Sequence, residues 1–197
     1  MESHSDSWRM SRLRPVLSQL KPYVAGKGFG EISRKYGIAP EAIVKLGSNE
    51  NSYGPSPRVS EAIASISPER YPEPEELMAG LAGYTGFPEE MILIGAGMDG
   101  VMDTLTRLFL ENGDRTFIPT PTFSYYEILT ITAGAAPFFS PRGPEFEVTV
   151  DMPQDIKMAF LCSPNNPTGN VTSEEDVRAL LESTDGIVFL DEAYVEF

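Results

Sequence analysis

The chain has 197 residues, with 15 Lys and Arg against 29 Asp and Glu for a formal charge of −14, and it carries a single Cys and a single His. One cysteine closes no internal disulfide, and one Cys with one His cannot supply the four ligands of a structural zinc site. His4 lies in the polar start SHSDS, which argues against Ser-His-Asp or Cys-His catalysis, and the acidic balance argues against binding to nucleic acid or to anionic bilayers.

Hydrophobic residues make up 41% of the chain, as in a globular protein, and no window approaches the roughly 18 uninterrupted apolar residues that cross a bilayer. The start, MESHSDSWRMSRLRP, has no apolar core after its charges and does not read as a secretory signal, so a cytoplasmic location is expected. Residues 1–45 hold eight of the basic residues and the breaker-rich stretch LKPYVAGKG, and read as an arm with one or two short helices. From residue 46 onward, strands and helices alternate, which sets 46–197 apart as a second segment.

In chain order, Pro57 to Ile66 spaces Val59, Ala62, Ile63 and Ile66 as a short helix, and SPERYPEPEE leads into a second helix through Leu77, Leu81 and Tyr84. Met91 to Ile94 reads as a first strand, ending in Gly-Ala-Gly. A helix with Val101, Leu105 and Leu108 along one face follows and stops at Asn112-Gly113-Asp114. Thr116 to Ile118 is a second strand, residues 123–133 a helix, Ala135 to Phe139 a third strand, and Lys157 to Cys162 a fourth. Thr172 and Glu175 fit a capping box opening a helix with Val177, Leu180 and Leu181 buried, and Ile187 to Leu190 is the last strand. Short apolar strands between amphipathic helices predict an α/β architecture, a three-layer sandwich around a mostly parallel sheet.

Ligands of such sheets gather beyond the carboxyl ends of the strands. Four segments place unusual residues there: GAGMDG after Ile94, PTPTF after Ile118, SPNNPTG after Cys162 and DEAY after Leu190. The glycine turn 95–100 lets backbone amides and a helix N-terminus face an anion such as phosphate. It also matches G-x-G-x-x-G, which keeps a nicotinamide-dependent oxidoreductase open, yet no carboxylate stands where the next strand ends at Pro119-Thr120-Pro121. Asp191, at the mouth of an apolar strand, needs a cationic partner, and a protonated ring nitrogen is one; a strand-ending Asp that caps the next segment is the plainer alternative. Tyr194 can hydrogen-bond the same ligand. Asn165 and Asn166 between two prolines also suit a turn, and Phe123 also suits a core.

Taken together, SPNNPTG at 163–169, the strand ending in Asp191 with Tyr194, and the glycine turn near residue 97 resemble the fold type I pyridoxal-phosphate aminotransferases. Within them, LKPYVAGKG, GSNENSYGP and RYPEPEE look like the histidinol-phosphate aminotransferase family. The resemblance implies pyridoxal 5'-phosphate as cofactor, an amino donor and a 2-oxo acid as substrates, and a homodimer. It implies that Asp191 pairs with the pyridine nitrogen, that Asn166 and Tyr194 hydrogen-bond the ring's phenolic oxygen, and that Phe123 stacks on the ring where the family usually has tyrosine. The backbone amides of Met98 and Asp99 would hold the cofactor phosphate, and Tyr53 would reach the phosphate of a neighbouring subunit's cofactor. Asn49 and Tyr23 would face the substrate. Within the same fold, aromatic or aspartate aminotransferases and threonine-phosphate decarboxylases share these cofactor residues.

The family also needs a lysine after the Asp/Tyr strand. The lysines here, Lys21, Lys27, Lys35, Lys45 and Lys157, all precede Asp191. The expectation is therefore an N-terminal part of a longer enzyme, inactive as a transaminase by itself.

Overall fold

The computed structural model describes residues 12–21 and 26–197. These fall into two units, one formed by residues 12–20 with 93–197 and the other by residues 21–92. Among the described residues, no helix is long and apolar enough to cross a membrane, and no group of three His, Cys, Asp or Glu side chains could hold a metal ion.

The unit of residues 21–92 carries three helices: α1 (Phe29–Tyr36), α2 (Pro57–Ala64) and α3 (Glu75–Thr85), with short 3-10 turns at Pro40–Ala42 and Glu89–Met91. Proline opens α2, where its missing N–H has no helical partner to lose. None of this unit's described side chains is buried, and Val59, Ile63, Leu77 and Tyr84 leave apolar helix faces open. The strand expected at Met91–Ile94 does not form. Ile92 has extended backbone, but a strand needs a neighbour for its N–H and C=O groups, and no described strand pairs with this segment.

The other unit contains a 3-10 turn at Pro15–Gln19, α4 (Gly97–Phe109), β1 (Arg115–Thr120), α5 (Tyr125–Ala133), β2 (Ala136–Pro141), β3 (Ile156–Cys162), α6 (Glu174–Glu182) and β4 (Ile187–Asp191). The four strands form one parallel sheet in the order β2-β1-β3-β4. Pro119 is tolerated inside β1 because pairing with β3 has already ended at Phe117.

Alternation along the strands sends successive side chains to opposite faces. Met158, Phe160 and Cys162 of β3 join Met102 and Leu110, Ile118 of β1, Tyr126 and Leu129 of α5, and Ile187 and Phe189 of β4 on one face. Ala159, Leu161, Phe117, Val188 and Leu190 face Leu180 and Val177 of α6 on the other. Helices thus cover both faces, giving the three layers expected.

Two helix registers differ from the sequence reading. The buried residues of α4 are Met102 and Thr106, while Leu108 is 68% exposed. Thr106 Oγ1 donates to Met102 O at 3.0 Å and approaches Asp103 O at 3.1 Å, so a hydroxyl sits in the core with its polarity satisfied inside the helix. For α6 the cap is Ser173, whose Oγ accepts from Asp176 N at 3.0 Å; Thr172 instead gives its backbone N–H to Ser163 Oγ at 2.9 Å. The helix therefore starts one residue later than a Thr172–Glu175 box requires, and Leu181 turns outward.

Candidate active site

The carboxyl ends of the four strands lie side by side, and the turns that leave them carry the residues with chemistry. Asp191 ends β4 opposite Cys162 of β3, and its backbone oxygen accepts Ser163 N–H at 2.9 Å, extending the ladder by one bond. Period-two alternation from Ile187 and Phe189 places Asp191 on the face that carries Cys162 and Tyr126.

The Asp191 carboxylate is 3% exposed. Its Oδ2 accepts the Tyr126 hydroxyl at 2.6 Å and its Oδ1 accepts Ala193 N–H at 3.0 Å. No cation pairs with it among the described residues. A buried anion held by two donors, at the open end of a sheet, is prepared for a cationic ligand. Burial and the hydrogen bond to Asp191 push the Tyr126 phenol far above its ordinary pKa, so it remains the donor.

Tyr126 also organises the aromatic side of the site. Its ring stacks on Phe160 at 4.9 Å between centroids and meets Phe123 edge to face at 5.7 Å. Phe123, at the end of the turn from β1, is half-buried with one side on the core and so can offer a ring face to a planar ligand.

The two asparagines of the β3 turn have different surroundings. Asn165 is buried, and its Oδ1 accepts from Thr122 Oγ1 at 2.8 Å and Arg142 Nη2 at 3.1 Å. Its Nδ2 donates to Pro121 O at 3.1 Å and Thr168 Oγ1 at 2.7 Å. Asn166 is half-buried; its backbone N–H points to Cys162 Sγ at 3.5 Å, and its side-chain amide meets no partner among the described residues. Burial raises the Cys162 thiol pKa, and its Sγ donates to Pro164 O at 3.3 Å, so this residue holds the turn.

The glycine turn delivers α4. Gly97 has φ +68°, which favours glycine, and a Cβ on Gly95 would lie 2.8 Å from Val101 Cγ2. Met98 packs on the same core as Phe123, and exposed Asp99 lies near enough to Tyr125 to help burial raise that phenol's pKa. The first amides of α4 have no helical acceptor and suit an anionic group.

The structure thus brings Asp191, Asn166 and Phe123 to one sheet edge, with Met98 packed on the same core as Phe123. Tyr194 is half-buried on the turn after β4, its ring 6.5 Å from that of Phe197. Asn49 (φ +51°) and Tyr53 belong to the unit of residues 21–92, where the Tyr53 side chain is fully exposed. Tyr23 lies outside the described residues. Lys157, the one lysine of residues 93–197, is exposed near the start of β3, about 16 Å of strand from Cys162.

Sequence reading missed Tyr126, Thr122 and Arg142 and left Asn165 as a turn residue. The available signals were a hydroxyl-bearing aromatic one helical turn after Phe123, and a cation three residues after the third apolar run. Together the edge can hold a flat heterocycle with a cationic nitrogen at Asp191, an oxygen near Asn166 and an aromatic face on Phe123.

A family model described as aminotransferase class I and II matches residues 41–197. The histidinol-phosphate aminotransferase of Methanosarcina mazei is 43% identical over 96% of this chain and 54% of its own length. That of Methanocella arvoryzae is 44% identical over 95% of this chain and 55% of its own. Among solved structures, histidinol-phosphate aminotransferase from Sinorhizobium meliloti in complex with pyridoxal-5'-phosphate superposes with a TM-score of 0.76 at 25% identity, over 94% of this chain and 52% of that one. The chain spans about half the length of the curated relatives it matches.

Proposed function

We propose, because the chain belongs to the class I and II aminotransferases, that it forms the cofactor-binding half of a histidinol-phosphate aminotransferase. The reaction is transfer of an amino group between L-histidinol phosphate and 2-oxoglutarate, in a cytoplasmic homodimer that uses pyridoxal 5'-phosphate. The observation that carries the reading is the Asp191 carboxylate, buried and doubly hydrogen-bonded at the sheet edge with no cation paired to it among the described residues.

The residues present fit the cofactor. Asp191 would hold the proton on the pyridine nitrogen, and Asn166 and Tyr194 would donate to the phenolic oxygen. Phe123 would cover one ring face, excluding water from it. The first amides of α4, at Met98 and Asp99, would take the phosphate. When bound, the cofactor supplies an electron sink for the carbanion left after loss of the substrate's α-proton. The chain's part is to keep the ring nitrogen charged and the ring fixed in plane.

Tyr53 supports the dimer, since a fully exposed tyrosine on the unit of residues 21–92 is free to reach a neighbouring subunit. Asn49 and Tyr23 remain proposed for the substrate side. The Schiff-base lysine and the rest of the substrate pocket are assigned to polypeptide beyond this half.

The test is the full-length protein reconstituted with pyridoxal phosphate. A visible-edge absorbance band that shifts on adding histidinol phosphate, with glutamate formed from 2-oxoglutarate, is expected. Asp191→Asn should lower turnover by ~10²-fold or more, the scale of losing one electrostatic stabiliser of the transition state. No cofactor uptake would overturn the reading, and preferential decarboxylation of threonine phosphate would replace the substrate assignment.

A further inference from the structure

The sheet edge carries a cation that the roles above leave unused. Arg142 follows β2 directly, and its backbone N–H donates to Thr120 O at 2.8 Å, tying it to the end of β1. Its Nη1 donates to Phe146 O at 3.1 Å and its Nη2 to Asn165 Oδ1 at 3.1 Å, while its Nε is buried without a partner among the described residues. Among the described residues no carboxylate pairs with it. Burial lowers its pKa from the ordinary value. A guanidinium that is partly desolvated and met only by neutral oxygens is a costly filler, and a methionine would occupy similar space without that penalty.

Its effect is geometric. The Asn165 side chain accepts two hydrogen bonds at Oδ1 and donates two from Nδ2, so its amide is fully spent and can face only one way. The main chain around it closes the turn, with Asn165 N–H on Asn170 O at 2.8 Å and Gly169 N–H on Asn165 O at 2.7 Å. The next residue is Asn166, whose own side-chain amide meets no partner among the described residues. Two donors from the neighbouring strand ends, Thr122 and Arg142, therefore decide where this turn sits over the sheet, and only Arg142 brings a charge-assisted bond.

We propose that Arg142 is a positioning residue that, by gripping Asn165, aims the Asn166 amide at the phenolic oxygen of the bound cofactor ring. This rests on the pyridoxal-phosphate reading above.

The experiment compares Arg142→Met, Arg142→Lys, Asn166→Ala and the Arg142→Met/Asn166→Ala double variant in the full-length protein, reading the pH midpoint of the bound cofactor's absorbance. A phenolic oxygen that loses a donor is more basic and keeps its shared proton to higher pH. Asn166→Ala should therefore raise the midpoint, and Arg142→Met should raise it by about 0.5–1 unit, a 3- to 10-fold change in the proton equilibrium. Arg142→Lys, which keeps the charge and loses the fork, should shift it the same way and carries the test if Arg142→Met does not fold. The double variant should go no further than Asn166→Ala, because one residue acts through the other. An unmoved midpoint in the arginine variants overturns the inference, whatever the melting temperature does, and so does a shift that adds in full to that of Asn166→Ala. A wild-type protein without a cofactor band overturns the transaminase reading and this inference with it.

Discussion

The hydroxyl of Tyr126 donates to Oδ2 of Asp191 across 2.6 Å, and both side chains are buried. The distance is that of an O–H to carboxylate bond, the stronger kind of hydrogen bond, formed where little water can replace it. It links the first turn of α5 to the last residue of β4, and the tyrosine that makes it also meets the ring of Phe123 edge to face. One tyrosine thus orients both the carboxylate and the aromatic face of the site.

Tyr126→Phe keeps the stack on Phe160 and removes only the donor. A hydrogen bond to a charged group contributes about 1.5–3 kcal/mol. Urea unfolding of the variant at pH 7 should show a stability lower by that amount, with an unchanged m-value.

The same pair sets a pH dependence. The folded-state pKa of Tyr126 is raised by burial and by Asp191, so its contribution is present below the ordinary phenol value near pH 10 and is lost as pH rises beyond it. Above pH 10, wild-type stability should fall about 1.4 kcal/mol per pH unit more steeply than that of Tyr126→Phe. Parallel slopes in the two proteins would show that this phenol ionises as freely in the fold as out of it.

Asn165 and Asn166 should respond oppositely to alanine. Asn165→Ala strands Thr122, Arg142 and the Pro121 carbonyl, and should cost about 1–3 kcal/mol of stability. Asn166→Ala breaks no side-chain bond within the described residues and should stay within about 0.5 kcal/mol in thermal melts. On the proposed cofactor role, its loss should appear instead as weaker retention of pyridoxal phosphate on dialysis of the full-length protein.

The start of α6 offers a test of the observed cap. Ser173→Ala should lower stability by about 1 kcal/mol, while Thr172→Ala, which keeps its backbone bond to Ser163, should be nearly silent. A circular-dichroism melt of both variants separates the two positions.

Arg14 donates to Thr132 O at 2.7 Å and approaches Ala133 O at 3.4 Å, meeting carbonyls that the end of α5 leaves open. Arg14→Ala should cost about 0.3–1 kcal/mol, less at high salt, as expected for an exposed cation at a helix C-terminus. Proteolysis near residue 14 should accelerate with it.

Much of the fold was legible because its causes are local. The apolar runs of β1, β3 and β4 and the alternation that carries Asp191 to the Tyr126 face follow from the order of residues, and so do α2, α3 and α5. The exceptions each had a non-local cause. Residues 91–94 have strand-like chemistry and no paired neighbour among the described residues; Thr106 is buried because a hydroxyl can satisfy itself inside a helix; Ser173 caps α6 because Thr172 is engaged by Ser163.

The amino-acid sequence by itself determined the α/β class, the parallel strands and the residue types at the sheet edge, since hydrophobic period and turn chemistry act over a few residues. Only the tertiary structure decided which of two adjacent asparagines is spent and which is open, and that Tyr126 serves Asp191 and Arg142 serves Asn165. Those pairings join residues 23 to 65 positions apart. They exist because the strand order β2-β1-β3-β4 sets Arg142, Thr122 and Asn165 on neighbouring strand ends, while α5 packs its first turn over the end of β4.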